Sequence, residues 1–296
     1  MKYVCKLLVA LFLLSGCLAQ KKISSILQSA NQFYYEKEYR KALENYNRVL
    51  DYYQGKGLTP SGEIFSSTGK CLYYLNDKAG AMDFFEKAFN NNYEDEQTAF
   101  IAVEYYVEFS DNIDKQISSL EHYAENFSFG NEIDYVRIKL FEKYYEKGDF
   151  RKAFYAYNNL PEEKSDNIEL LEKYFYSAQQ IGSQKKTAEI AEKLYNLDPN
   201  NLIGLSFMAD KTLLEVETLF KEAQEVYNSK KNNATLKVFR KKQEELKSRY
   251  ILAKAYYTRL YNLYKRSSDA ESLALICQRL GEKKNAEYYT KLSKKK

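Results

Sequence analysis

One pattern constrains this chain more than any other feature. Ala42, Tyr46 and Val49 stand four and then three residues apart, and the same spacing returns at Ala81, Phe85 and Ala88. It returns again at Ala153, Tyr157 and Leu160, at Thr187, Ala191 and Leu194, and in weaker form at Gln116, Leu120 and Tyr123. The first positions of successive copies, 42, 81, 116, 153 and 187, are 39, 35, 37 and 34 residues apart. Steps of three and four put all members of a copy on one buried helical stripe, so the pattern predicts helices. A recurrence every 30 to 40 residues is the mark of a stacked array in which each hairpin contacts its neighbours.

The punctuation agrees. Pro60, Pro161 and Pro199 all fall between helical runs, and Thr59-Pro60 and Asp198-Pro199 each look like an N-cap followed by a proline at the first helical position. Asp166 to Glu169 has the spacing of a capping box. With only 11 Gly and 3 Pro in 296 residues, the chain lacks the turn residues a sandwich or barrel would need.

These repeats resemble the tetratricopeptide repeat (TPR), a unit of about 34 residues and two antiparallel helices. Gly69-x-x-Leu72 resembles the first-helix signature of that family, and Gly148-Asp149-Phe150 the turn between its helices. Lys37-Glu38-Tyr39 and Asn76-Asp77-Lys78 occupy equivalent places, and Asp198 to Asn201 closes the fifth copy in the family's manner. The family's Trp early in the first helix is missing throughout. The resemblance implies an all-α fold, a right-handed α-solenoid of TPR helix hairpins. About five repeats are expected over residues 23–200, long helices departing from the repeat over 201–270, a terminal TPR-like hairpin over 271–292 and a basic tail at 293–296. Ala253, Tyr257 and Leu260 fit a second helix inside the divergent stretch, but the charged run Lys237 to Lys247 before them fits poorly. Ala274, Gly281 and Ala286 suit the terminal hairpin.

The N-terminus has the layout of an export signal. Lys2 and Lys6 precede an apolar run from Leu7 to Leu14, too short to span a bilayer. Leu14-Ser15-Gly16-Cys17 resembles the bacterial lipobox, which implies cleavage before Cys17, its acylation and attachment of the protein to a membrane. An ordinary cut after Ala19 is the alternative. Cys5 and Cys17 belong to this region, leaving Cys71 and Cys277, which a solenoid would hold apart as buried free thiols.

Composition narrows the chemistry. There is one His, His122, and no Trp, which argues against His-based catalysis, His metal clusters and a Trp platform for sugars. Lys plus Arg, 45, nearly balance Asp plus Glu, 41, too evenly for a nucleic-acid surface. His122 is expected to be a partly buried packing residue, and the tail lysines Lys294 to Lys296 a solvated end. No phosphate loop, nucleophile elbow or metalloprotease motif occurs, so no enzyme activity and no cofactor or metal are expected.

What remains is a binding face. In the TPR family the first helix of each repeat lines the concave side. That places Asn31 and Tyr34, then Lys70 and Tyr73, then Tyr105 and Tyr145 as a partner-binding row. Tyrosine suits such a row because it offers large area, few rotors and a polar tip. The family's carboxylate clamp is not expected, because Leu27, Ser67, Thr98 and Ala102 stand where its polar and basic groups belong. The expectation is a noncatalytic protein-protein interaction scaffold in the bacterial cell envelope, binding a segment of another envelope protein. An outer-membrane lipoprotein facing periplasm or surface is the first localisation, with a periplasmic or secreted form as alternative. A subunit of an outer-membrane assembly machine and a surface glycan-binding lipoprotein are the alternative functions, and no oligomeric state is implied.

Overall fold

The structure is a computed structural model that describes residues 20–294. The export signal, with Cys17, and the last two lysines lie outside the described residues. The described residues form helices joined by short turns, with no strand among them. Two compact units divide between Lys143 and Tyr144.

The first unit holds α1 (20–35), α2 (Tyr39–Gly55), α3 (Gly62–Tyr74), α4 (Lys78–Asn90), α5 (Glu96–Phe109) and α6 (Ile113–Asn126). It ends within α7 (Ile133–Lys147). The repeat positions explain its core. Ala42, Tyr46 and Val49 are the buried stripe of α2, and Ala81, Phe85 and Ala88 that of α4. Gln116, Leu120 and Tyr123 are buried on α6. Burying one such large apolar side chain contributes roughly 1.5–3 kcal/mol. Small residues let paired helices approach closely. A Cβ on Gly69 of α3 would lie 2.5 Å from the Phe85 ring and 3.0 Å from the Ala81 carbonyl of α4.

The second unit continues with α8 (Phe150–Tyr157), a 3₁₀ turn (Glu162–Lys164), α9 (Ile168–Gln180) and α10 (Gln184–Leu197). It then has α11 (Leu202–Ser229), α12 (Asn233–Tyr264), α13 (Ser267–Arg279) and α14 (Lys283–Ser293). The hairpin of α11 and α12 is long, 28 and 32 residues. Ala253, Tyr257 and Leu260 are buried in it. The charged run from Lys237 is helical too: Phe239 stacks on Tyr227 at 5.7 Å, and Lys242 and Lys247 pair with Glu245 and Glu244. The terminal hairpin begins at Ser267, four residues before the expected boundary.

Five hairpins share one turn. Lys37, Asn76, Gly148, Gly182 and Gly281 have φ between 60° and 80°. The next residue's N–H returns to a carbonyl near the end of the preceding helix: Glu38 to Phe33, Asp77 to Leu72, Asp149 to Tyr144, Ser183 to Ala178 and Glu282 to Cys277, all 2.8–2.9 Å. This is the Schellman closure, and the residue after the positive φ caps the next helix. Asp77 and Asp149 do so with their side chains, accepting from the Gly80 and Lys152 amides.

Several local expectations are corrected. The copy at Ala153 is truncated: α8 stops at Tyr157 and Leu160 lies beyond it, because the approach to Pro161 disfavours helix. Tyr157 instead stacks on Tyr174 at 3.9 Å. Helix starts move by one to three residues. Ser61, not Thr59, is the N-cap of α3. Asn167, not Asp166, caps α9, accepting from the Leu170 amide at 3.0 Å, while Asp166 pairs with Lys193 at 2.7 Å. Asn201 caps α11, accepting from the amides of Ile203 and Gly204. Cys71 and Cys277 are buried and unpaired, and burial pushes the Cys71 thiol up to about 12.

Candidate functional site: an aromatic groove with acidic walls

A groove of about 610 Å³ opens in the first unit. The end of α3 supplies Tyr73 and Tyr74. One face of α5 supplies Glu96, Gln97, Phe100, Ile101 and Glu104, and the turn before α7 supplies Asn131 and Glu132. Helical spacing explains the middle wall, since Glu96, Phe100 and Glu104 are successive steps of four on α5.

The aromatic lining is held by polar tips. Gln97 accepts from the Tyr34 hydroxyl at 3.1 Å and donates to the Tyr74 hydroxyl at 2.8 Å. Tyr74 stacks on Tyr39 at 4.4 Å, and Tyr34 meets Tyr39 edge-on at 5.7 Å. The Tyr73 hydroxyl donates to Glu104 at 2.8 Å. Burial, and then the Glu104 carboxylate, push the Tyr73 phenol well above its ordinary range, so it stays a donor. Burial does the same for Tyr34. Phe100 meets Tyr123 and Tyr135 edge-on at 6.0 and 5.7 Å.

The acidic lining comes from Glu96 and Glu104 of α5 and Glu132 of the turn before α7. Glu96 Oε1 accepts from the Asn131 amide at 2.6 Å and the Tyr123 hydroxyl at 3.0 Å. Among the described residues, none of Glu96, Glu104 and Glu132 is ion-paired. Nor, among the described residues, is any group of three or more His, Cys, Asp or Glu placed to hold a metal ion.

The structure brings only part of the expected row together. Tyr73 lines the groove, and Tyr34 reaches it through Gln97. Asn31 is turned to its own hairpin, accepting from Tyr46 at 2.7 Å. Lys70 is not the free cation expected. It is 8% exposed and its ammonium lies 2.6 Å from Asp95, the N-cap of α5. Burial alone would raise the Asp95 carboxyl, but Lys70 and the Thr98 amide and hydroxyl bring it below its ordinary range. Tyr105 packs on Tyr106 and Phe109 and is not part of the groove lining. Tyr145 belongs to the second unit, edge-on to Phe150. His122 is more than a packing residue, since its Nε2 meets Glu94 at 2.7 Å. Gln97, Phe100 and the three glutamates were not anticipated, although the steps of four on α5 were a readable signal.

No protein-family profile and no curated protein matches the chain. Its folds of likeness are solved TPR structures. YrrB, described as a TPR protein with an unusual peptide-binding site, is 14% identical with a TM-score of 0.45, over 65% of this chain and 95% of that one. A tetratricopeptide repeat protein from Parabacteroides merdae is 13% identical with a TM-score of 0.41, over 86% and 99%. The C-terminal part of a TPR protein from Cytophaga hutchinsonii is 15% identical with a TM-score of 0.38, over 90% and 93%. At that distance they leave the partner to be read from the chain's own groove. The described residues are all-α, built of helix hairpins, with an aromatic, acidic-walled groove in the first unit.

Proposed function

We propose that the protein is a noncatalytic scaffold of the tetratricopeptide type that holds a segment of another protein in the groove between α3 and α5. The groove itself carries this reading: rings and hydrogen-bonding tips on rigid helices, open to solvent. Tyr74, 42% exposed, and exposed Gln97 are its accessible contacts. Tyr74→Ala with Gln97→Ala should abolish partner binding while helical content is retained. Full binding with full folding would move the partner to another surface.

The lipobox-like Leu14 to Cys17 supports presentation of this groove at a bacterial envelope. Labelling with a fatty-acid analogue should mark the wild type and not Cys17→Ser. A mature N-terminus at Gln20 would instead mean simple export. Nothing in the groove favours the assembly-machine or glycan-binding alternatives over this coarser reading.

A further inference from the structure

The three glutamates of the groove raise a question of charge. Several carboxylates of the first unit meet bases: Glu38 with Lys41, Asp95 with Lys70, Glu108 with Lys78, Glu94 with His122 and Asp134 with Arg137. Inside the groove three carboxylates face a shared space, and no basic residue lines it. The space, about 610 Å³, is many times the roughly 30 Å³ share of one water, so a bare ion would not fill it. The carboxylates are also not clustered as metal ligands among the described residues.

The rings of this region already hold ammonium groups. Lys78 lies 5.8 Å from the centre of the Tyr73 ring and 4.4 Å from that of Phe109. Lys139 lies 5.9 Å from Tyr135, the ring that meets Phe100. Aromatic faces attract cations through their quadrupole, and the attraction strengthens away from water. Both lysines are occupied, with Glu108 and Glu142 respectively, so neither neutralises the groove glutamates. Asn131, exposed at the rim, adds a carboxamide able to pair with peptide backbone.

We infer that the groove selects a basic extended segment of its partner, seating Lys or Arg side chains between the Tyr73, Tyr74 and Phe100 rings and the carboxylates of Glu104, Glu132 and Glu96. This rests on the reading of the groove as the partner site and names the partner's charge. Charge complementarity of this kind sets specificity and salt dependence.

The test titrates a short fluorescent peptide alternating Lys and Ala, and its Glu–Ala counterpart, against the full chain. The basic peptide should bind and the acidic one should not, and added salt should weaken binding. Glu104→Gln with Glu132→Gln should weaken it about tenfold or more. Gln at 104 can still accept from Tyr73, so folding is expected to survive, which circular dichroism checks. Asp83→Asn with Glu86→Gln removes the same charge from the exposed face of α4 and should change affinity less than twofold. If the α4 pair weakens binding equally, or spermidine competes as well as the peptide at equal charge, the selectivity is unspecific and the inference falls. Should the acidic peptide bind as tightly, and Tyr74→Ala abolish both, the groove is a peptide site without basic preference. If neither peptide binds and Tyr74→Ala with Gln97→Ala leaves partner binding intact, the underlying reading falls with it.

Discussion

Both units bury an ion pair, and they use it differently. In the second unit Glu217 of α11 takes two bonds of 2.8 Å from Arg279 of α13 and one of 2.7 Å from Tyr250 of α12. The Arg279 guanidinium also lies 3.9 Å from the centre of the Phe220 ring. Burial would raise the Glu217 carboxyl, and Arg279 and Tyr250 outweigh it and hold it below its ordinary range. In the first unit Lys70 makes a single contact to Asp95, and Asp95 is also the cap of α5. One turn further along that helix, the face bearing Glu96, Phe100 and Glu104 is left without a counter-ion. Charge in the second unit's network is consumed in joining three helices. In the first unit the Lys70–Asp95 pair ties α3 to the start of α5, and Glu96, Glu104 and Glu132 line the groove without an ion-pair partner among the described residues.

The largest effect should come from removing that network. Arg279→Ala leaves Glu217 buried with Tyr250 alone, and should cost roughly 3 kcal/mol, the low end for a broken buried pair because Arg279 is partly exposed. Arg279→Lys should recover only part, since an ammonium cannot reproduce the fork. Hydrogen exchange should report loss of protection in α11 to α13 and unchanged protection in α2 to α6. A cost under about 1 kcal/mol would erase the distinction between the units.

The smaller pair has a pH signature. Lys70→Met should cost about 2 kcal/mol at neutral pH, because Asp95 keeps Thr98 and Tyr93 as partners but loses its cation. The folded-state pKa of Asp95 is depressed, so its contribution is fully present above the unfolded value of about 3.9 and is lost as pH falls through the folded one. The gap between wild type and variant should therefore be widest near neutrality and close below about pH 4. Urea midpoints at several pH values measure it, and a gap that widens in acid would refute the assignment.

How much of this was legible depends on distance along the chain. The buried stripes of α2, α4 and α6 follow from steps of three and four, and Gly148-Asp149-Phe150 marks its turn, because both are local. Long helices were expected over 201–270, but the charged start of α12 did not fit the repeat, because its buried side is marked sparsely, by Phe239 against Tyr227 and by Leu246. In the site, Tyr73 was found as a ring at a first-helix position. Lys70 was misjudged because its partner lies 25 residues away, and no local pattern announces that pairing. Glu96, Phe100 and Glu104 were readable on α5, but Asn131 and Glu132 reach the groove from another turn, and only tertiary structure puts them there.

The smallest effects test the turns, where the units also differ. Among these five turns, Lys37 and Asn76 hold the positive φ in the first unit, and Gly148, Gly182 and Gly281 hold it in the second. The closing hydrogen bond is the same in all five, so the turn is set by the fold and the residue only changes its cost. A side chain in left-handed backbone costs roughly 1–2 kcal/mol, less for Asn, whereas glycine is free there but loses more entropy on folding. Gly148→Ala should thus destabilise by about 1 kcal/mol, although a Cβ there meets nothing within 4 Å. Lys37→Gly should stabilise by about 0.5 kcal/mol, the relief of strain less the added unfolded-state freedom. Asn76→Gly should gain still less, since Asn tolerates this region and its successor Asp77 already caps α4. Thermal melts of the three variants rank them. If Lys37→Gly destabilised as Gly148→Ala does, the lysine side chain rather than the backbone would be holding the first hairpin, and the five turns would not be equivalent.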